Sequence, residues 1–217
     1  MKGSRHLAPM LVLLVVPTFA GDEAPRGGAS GPTRKAPVPS GESDAKMTVP
    51  EGFAVTLFAG EPDVRQPIAM AFDDRGRLWV AECYSYPAWL HPETGRRDRI
   101  LIFEDRDGDG HFDARKVFWD EGSNVTGLEL GFGGVWVCST PNLLFLPDRD
   151  GDDTPDGEPE VVLDGWDTKA RHNMFNGLIW GPDGWLWGCN GIISNSRVGT
   201  PGTPEKDRAS FNCGVWR

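Results

Sequence analysis

One pattern recurs three times along the chain: a glycine-bearing tight turn followed at once by a short apolar strand that carries a tryptophan. The copies are Asp73-Asp74-Arg75-Gly76-Arg77-Leu78-Trp79-Val80, Gly133-Gly134-Val135-Trp136-Val137-Cys138 and Gly181-Pro182-Asp183-Gly184-Trp185-Leu186-Trp187-Gly188-Cys189. Trp79, Trp136 and Trp187 lie 57 and 51 residues apart. Pro-Asp-Gly presets the first turn position and lets glycine take a positive φ near the end. An apolar run precedes each turn, at 68–72, 128–132 and 177–180, so each copy reads as a hairpin.

Further strands complete the unit. Residues 99–104 and 142–146 take the third place, and 116–119 and 160–163 the fourth. Four strands at a period of about fifty residues predict the blades of a β-propeller, in an all-β chain. The repeated tryptophans then fill the space between blades; a sugar-stacking role is the competing reading. A solenoid fits less well, because its repeats run to roughly 20–30 residues. The chain supplies about two and a half blades, with 211–217 opening a third strand in the third unit. A propeller closes with roughly four to eight blades. The sequence therefore reads as the N-terminal part of a longer protein, in preference to one that a partner completes.

Composition narrows the rest. Glycine and proline make up 46 of 217 residues, which excludes a coiled coil. No apolar run reaches the roughly 18 residues of a membrane span, and a formal charge of −10 argues against nucleic acid. Lys2 and Arg5 precede an apolar stretch that ends in Thr18-Phe19-Ala20, the three-part order of a secretory signal over residues 1–20. The protein is therefore expected in the periplasm or outside the cell. Residues 21–46 are rich in Gly, Pro and Ser, with Val38 their one large aliphatic, and read as a disordered linker. The propeller segment is 47–217. Loss of the signal takes the charge to −12, all of it in that segment.

Much of that charge sits in two loops of one pattern. Asp105, Asp107, Asp109 and Asp113 recur as Asp148, Asp150, Asp152 and Asp156, each set between a third and a fourth strand. The first loop carries −3 and the second −4. Carboxylates at positions 1, 3, 5 and 9, with the carbonyl of position 7 (His111, Thr154), suit Ca²⁺, a hard cation that takes oxygen ligands. Position 12 is Lys116 or Pro159 rather than the glutamate of an EF-hand, and the flanks are strands. The expectation is structural calcium in strand-to-strand loops, against a plain solvated acidic turn. Asp153 replaces the Gly110 of the first loop and is expected to strain the second.

Cys83, Cys138, Cys189 and Cys213 show no C-x-x-C spacing, hence no zinc knuckle and no haem site in this segment. Cys189–Cys213 is the favoured disulfide, against four free thiols.

The stretch from Arg171 through His172, Asn173 and Asn176 to Gly181-Pro182-Asp183-Gly184 resembles the signature of soluble quinoprotein glucose and sorbosone dehydrogenases. Those are six-bladed propellers that hold pyrroloquinoline quinone. Pro50-Glu51-Gly52-Phe53 through Leu78-Trp79-Val80-Ala81-Glu82 resembles the exported "membrane-bound dehydrogenase" propellers of planctomycetes. Members of that group often continue into helical repeats and a cytochrome domain. The resemblance covers about 48–217 and implies oxidation of a sugar or alcohol. His172 matches the base that takes the hydroxyl proton as hydride passes to the quinone; an ordinary loop histidine is the competing reading.

Polar residues placed before the innermost strands are expected to face the channel: Asn124 and Thr126, then Arg171, His172, Asn173 and Asn176. Glu82, Tyr84 and Tyr86 are within reach of the same mouth. Arg171, Asn173, Asn176, Asn124 and Glu82 are the expected cofactor contacts. A non-catalytic propeller that binds carbohydrate or protein is the alternative, and hydrolysis at a calcium site a third.

Overall fold

A computed structural model describes residues 42, 46–86, 97–170 and 172–217. The signal-like segment 1–20, most of the 21–46 linker and Arg171 lie outside the described residues. The described chain is all-β, with a 3-10 turn at Glu205–Asp207 and no α-helix among the described residues. Among the described residues no helix is long and apolar enough to cross a membrane.

The first sheet has the order β1 (Pro67–Phe72), β2 (Leu78–Glu82), β3 (Asp98–Glu104), β4 (Ala114–Gly122). The second repeats it with β5 (Val125–Leu130), β6 (Gly134–Ser139), β7 (Asn142–Pro147), β8 (Glu160–Leu163). Both are antiparallel meanders. The third joins β9 (Asn176–Trp180) and β10 (Leu186–Asn190) to a last strand, Gly214–Trp216. That strand opens where the repeat places it. Between it and β10 lies a hairpin that the repeat does not announce, β11 (Ser196–Val198) with β12 (Ala209–Phe211); the last strand is thus β13. These are two four-stranded blades and a three-stranded third, a partial β-propeller.

Strand alternation explains the packing, since successive side chains point to opposite faces. On blade one, Trp79, Ala81, Ile100 and Ile102 meet Leu128, Val135, Val137 and Leu146 of blade two. Ala69 and Ala71 of the innermost strand join the same core. The opposite face of β2 and β3, Leu78, Val80, Leu101 and Phe103, is covered by Phe58, Ala59 and Val64 from the segment before β1. Trp136 packs into a third core with Leu178, Leu186 and Trp180. The tryptophans therefore stand between blades where a following blade exists. Trp187 has none among the described residues and stays half-buried.

Each tryptophan also ties down its own turn. The Trp79 indole N–H donates to Asp73 Oδ2 at 3.0 Å, that of Trp136 to the Gly131 carbonyl at 3.3 Å, and that of Trp187 to Asp183 Oδ1 at 3.1 Å. Gly76 and Gly184 close the outer turns at φ of 80° and 78°, a region that favours glycine.

The favoured disulfide is not formed: all four cysteines are free. The register sets Val215, not Cys213, opposite Cys189, and the Cys189 thiol turns to the Asn176 carbonyl and Oδ1.

Candidate functional site

Register divides the blades into two ends. Phe72 pairs with Leu78, Leu78 with Phe103 and Glu104 with Ala114, so the hairpin turns and acidic loops share one end. Pro67 pairs with Glu82 and Val125 with Ser139, so the loops after β2 and before β5 and β9 share the other.

At that second end lies an open pocket of about 240 Å³. Ile68, Val125, Thr126 and Asn176, from the starts of three successive innermost strands, form part of its lining. Tyr86 comes from the loop after β2, and His172 and Met174 from the connection into β9. Tyr86 Oη and His172 Nδ1 are 3.1 Å apart, with the rings edge to face at 5.8 Å. Blades one and three thus meet over the first residues of blade two. Thr126 Oγ1 donates to the Phe175 carbonyl at 2.5 Å, which fixes the chain on either side of the pocket.

A buried carboxylate organises this end. Asp98 is fully buried and accepts from Ser85 N–H at 2.7 Å, Ser85 Oγ at 2.8 Å and Val125 N–H at 2.8 Å. Ser85 Oγ in turn accepts the Asn124 N–H at 3.1 Å. Burial pushes the Asp98 carboxyl above its ordinary value, and the three donors oppose that. Burial and the Asp98 charge push the neighbouring Cys83 thiol up to about 12. Cys83 lines the pocket, yet a thiol so raised is no nucleophile at neutral pH.

The expected contacts therefore separate. His172 and Asn176 meet at the pocket with Thr126 and Tyr86. Glu82 does not reach it: its carboxylate is fully buried, pairs with Arg99, and accepts Tyr84 Oη at 3.0 Å and Arg65 N–H at 2.5 Å. Tyr84 is drawn into the same cluster, under the Arg99 guanidinium at 5.2 Å. Asn124 takes a left-handed φ of 53° and holds the pocket floor through its backbone. Asn173 is half-buried against Gly191 and outside the lining. The sequence marked these residues by position along the repeat, which sets the end of the blade they occupy but not which way each side chain turns.

At the opposite end, one oxygen from each of Asp105, Asp107 and Asp109 lies within 4.8 Å of the others, and Asp148, Asp150 and Asp152 repeat the arrangement. Asp113 and Asp156 stand at the loop bases and accept the N–H of Arg106 at 2.6 Å and of Arg149 at 2.9 Å. His111 donates its N–H to Asp109 Oδ1 at 2.8 Å, which orients position 7 of the first loop. The Thr154 hydroxyl oxygen accepts from Lys116 Nζ at 3.4 Å.

The second loop is docked on blade one. Arg77 forks onto Asp153 at 2.7 and 2.8 Å, and Lys116 Nζ donates to the Asp152 carbonyl at 2.8 Å. Arg75 donates to the Gly151 carbonyl at 3.4 Å. Asp153 does take a left-handed φ, 66°, and the bidentate Arg77 contact holds it there.

The fold and these two ends define a partial propeller with a small pocket at the innermost strands and paired acidic loops opposite. A family model described as a domain of unknown function, DUF7133, matches residues 39–217, and the chain belongs to that family. No curated protein matches the sequence.

Proposed function

We propose that the chain is part of an exported propeller that binds a small neutral hydroxylated molecule, a sugar or an alcohol, at the pocket of the innermost strands. The observation that carries this reading is the Tyr86–His172 pair, 3.1 Å apart at the edge of an otherwise largely apolar recess. Concave, mostly apolar sites with a few convergent polar groups are what small ligands use. His172 carries the imidazole of this lining and offers a ring nitrogen to hydrogen-bond a ligand hydroxyl. Asn176 stands beside it to orient the ligand.

Pyrroloquinoline quinone carries three carboxylates. The described lining residues include no arginine or lysine to pair with them, and Arg171, an expected contact, lies outside the described residues. The dehydrogenase resemblance implies oxidation of such a ligand with its hydride passing to a quinone; the role proposed for the described residues is to bind and orient the hydroxyl. The acidic loops are proposed as structural Ca²⁺ sites at the far end, with Asp105, Asp107 and Asp109 in one and Asp148, Asp150 and Asp152 in the other. Titration calorimetry with sugars and alcohols, on the wild type and on His172→Gln, tests the pocket.

A further inference from the structure

We propose that Tyr86 is the positioning residue of this site: its hydroxyl holds His172 by Nδ1 and leaves Nε2 as the nitrogen that meets the bound molecule. The inference rests on the pocket reading above and names the group that makes His172 selective. An exposed imidazole turns about its side-chain torsions and offers either nitrogen, because its last torsion has broad wells. Here Nδ1 is engaged at 3.1 Å, and the Tyr86 ring closes edge-on against the imidazole at 5.8 Å.

The loop that carries the phenol is itself held. Ser85, its chain neighbour, is bonded through both N–H and Oγ to the buried Asp98 carboxylate. The same carboxylate takes the Val125 N–H at 2.8 Å, and Val125 lines the pocket. One buried anchor therefore sets the loop that carries Tyr86 and the floor beneath the ligand together. A site works when its working group is locked by packing and by hydrogen bonds from behind.

The test uses the whole chain labelled with ¹⁵N-histidine, the His172 signals being those lost in His172→Gln. In the wild type, Nδ1 and Nε2 should show distinct shifts of a hydrogen-bonded ring. Saturating D-glucose or sorbitol should then move Nε2 more than Nδ1. Tyr86→Phe keeps the edge-to-face ring, so far-UV circular dichroism should be unchanged while the Nδ1 signal moves. Its affinity for the same probes should fall about three- to tenfold, the worth of one neutral hydrogen bond. An Nδ1 signal identical in wild type and Tyr86→Phe overturns the proposal. So does a larger ligand response at Nδ1. A wild-type ring that averages its two nitrogens overturns it without recourse to the variant. If neither probe binds either protein, the pocket reading fails, and the Nδ1 comparison still decides what Tyr86 does.

Discussion

Arg77 has almost no access to water, and neither has its partner Asp73: their side chains are 11% and 10% exposed. Arg77 also forks onto Asp153, and Asp73 accepts the Trp79 indole, so one cation joins a turn, a core tryptophan and a loop of the next blade. Removing one partner from a buried pair strands the other charge, at a cost of about 3–5 kcal/mol. Arg77→Met should therefore lose about 3 kcal/mol in urea unfolding. The pH dependence has a definite sign. Burial acts upward on Asp73, but hydrogen bonds from Trp79 and Arg77 outweigh it and hold the carboxyl below its ordinary 3.8. The Arg77 hydrogen bonds hold Asp153 below 3.8 as well, against a smaller upward effect of burial. A depressed carboxylate contributes stability that is complete above its unfolded value and lost as pH falls through its folded one. Stability should drop steeply below about pH 4, with a shallower drop in Arg77→Met, as measured by unfolding midpoints across that range. The sequence shows Asp153 only as a misfit in a calcium-like pattern. Its partner lies 76 residues away, a contact that no local spacing reveals.

The two acidic loops share a sequence pattern and differ in what surrounds them. Arg75, Arg77 and Lys116 of blade one reach the second loop, whereas Arg106 of the first turns to Glu104. Like charges drawn onto one centre repel, and a cation offsets that. Ca²⁺ at a hundredfold excess over its Kd should stabilise the protein by about 2.7 kcal/mol per site. Asp107→Asn should remove most of the calcium-dependent rise in Tm. Asp150→Asn should remove less, because blade one already offsets the second loop. An equal rise in Tm for wild type and both variants on adding Ca²⁺ contradicts the assignment. At this scale the sequence was informative: acid spacing placed both loops between third and fourth strands, where they lie. The β11–β12 hairpin was invisible, because its strands are three residues each and separated by Pro201, Gly202 and Pro204. It is held from outside, by backbone bonds between Asp164 and Gly199 and by the Arg208–Asp164 pair.

Across the whole molecule, the repeat sets where each tryptophan stands, and the neighbour sets what it is worth. Trp79 is sealed between blades one and two, while Trp187 lies under Arg217 with no blade beyond it among the described residues. Trp79→Ala should cost about 3–5 kcal/mol by denaturant unfolding. A cost under about 1 kcal/mol would contradict the blade-packing account. The same asymmetry leaves Ile68, Met70 and Phe72 about half exposed on the face of β1 turned away from blade two. The repeat was legible because turn chemistry and strand alternation are local. The pocket was legible only in part: His172, Asn176 and Tyr86 were marked by resemblance and position, while the contact between Tyr86 and His172, 86 positions apart, was not. The central claim is that this pocket binds a small hydroxylated molecule through His172. Calorimetric titration of D-glucose, sorbitol and glycerol into wild type and His172→Gln tests it most directly. Saturable heat with at least one of the three in the wild type, lost in His172→Gln, is the predicted result; equal heats in both proteins, or none in either, would contradict it.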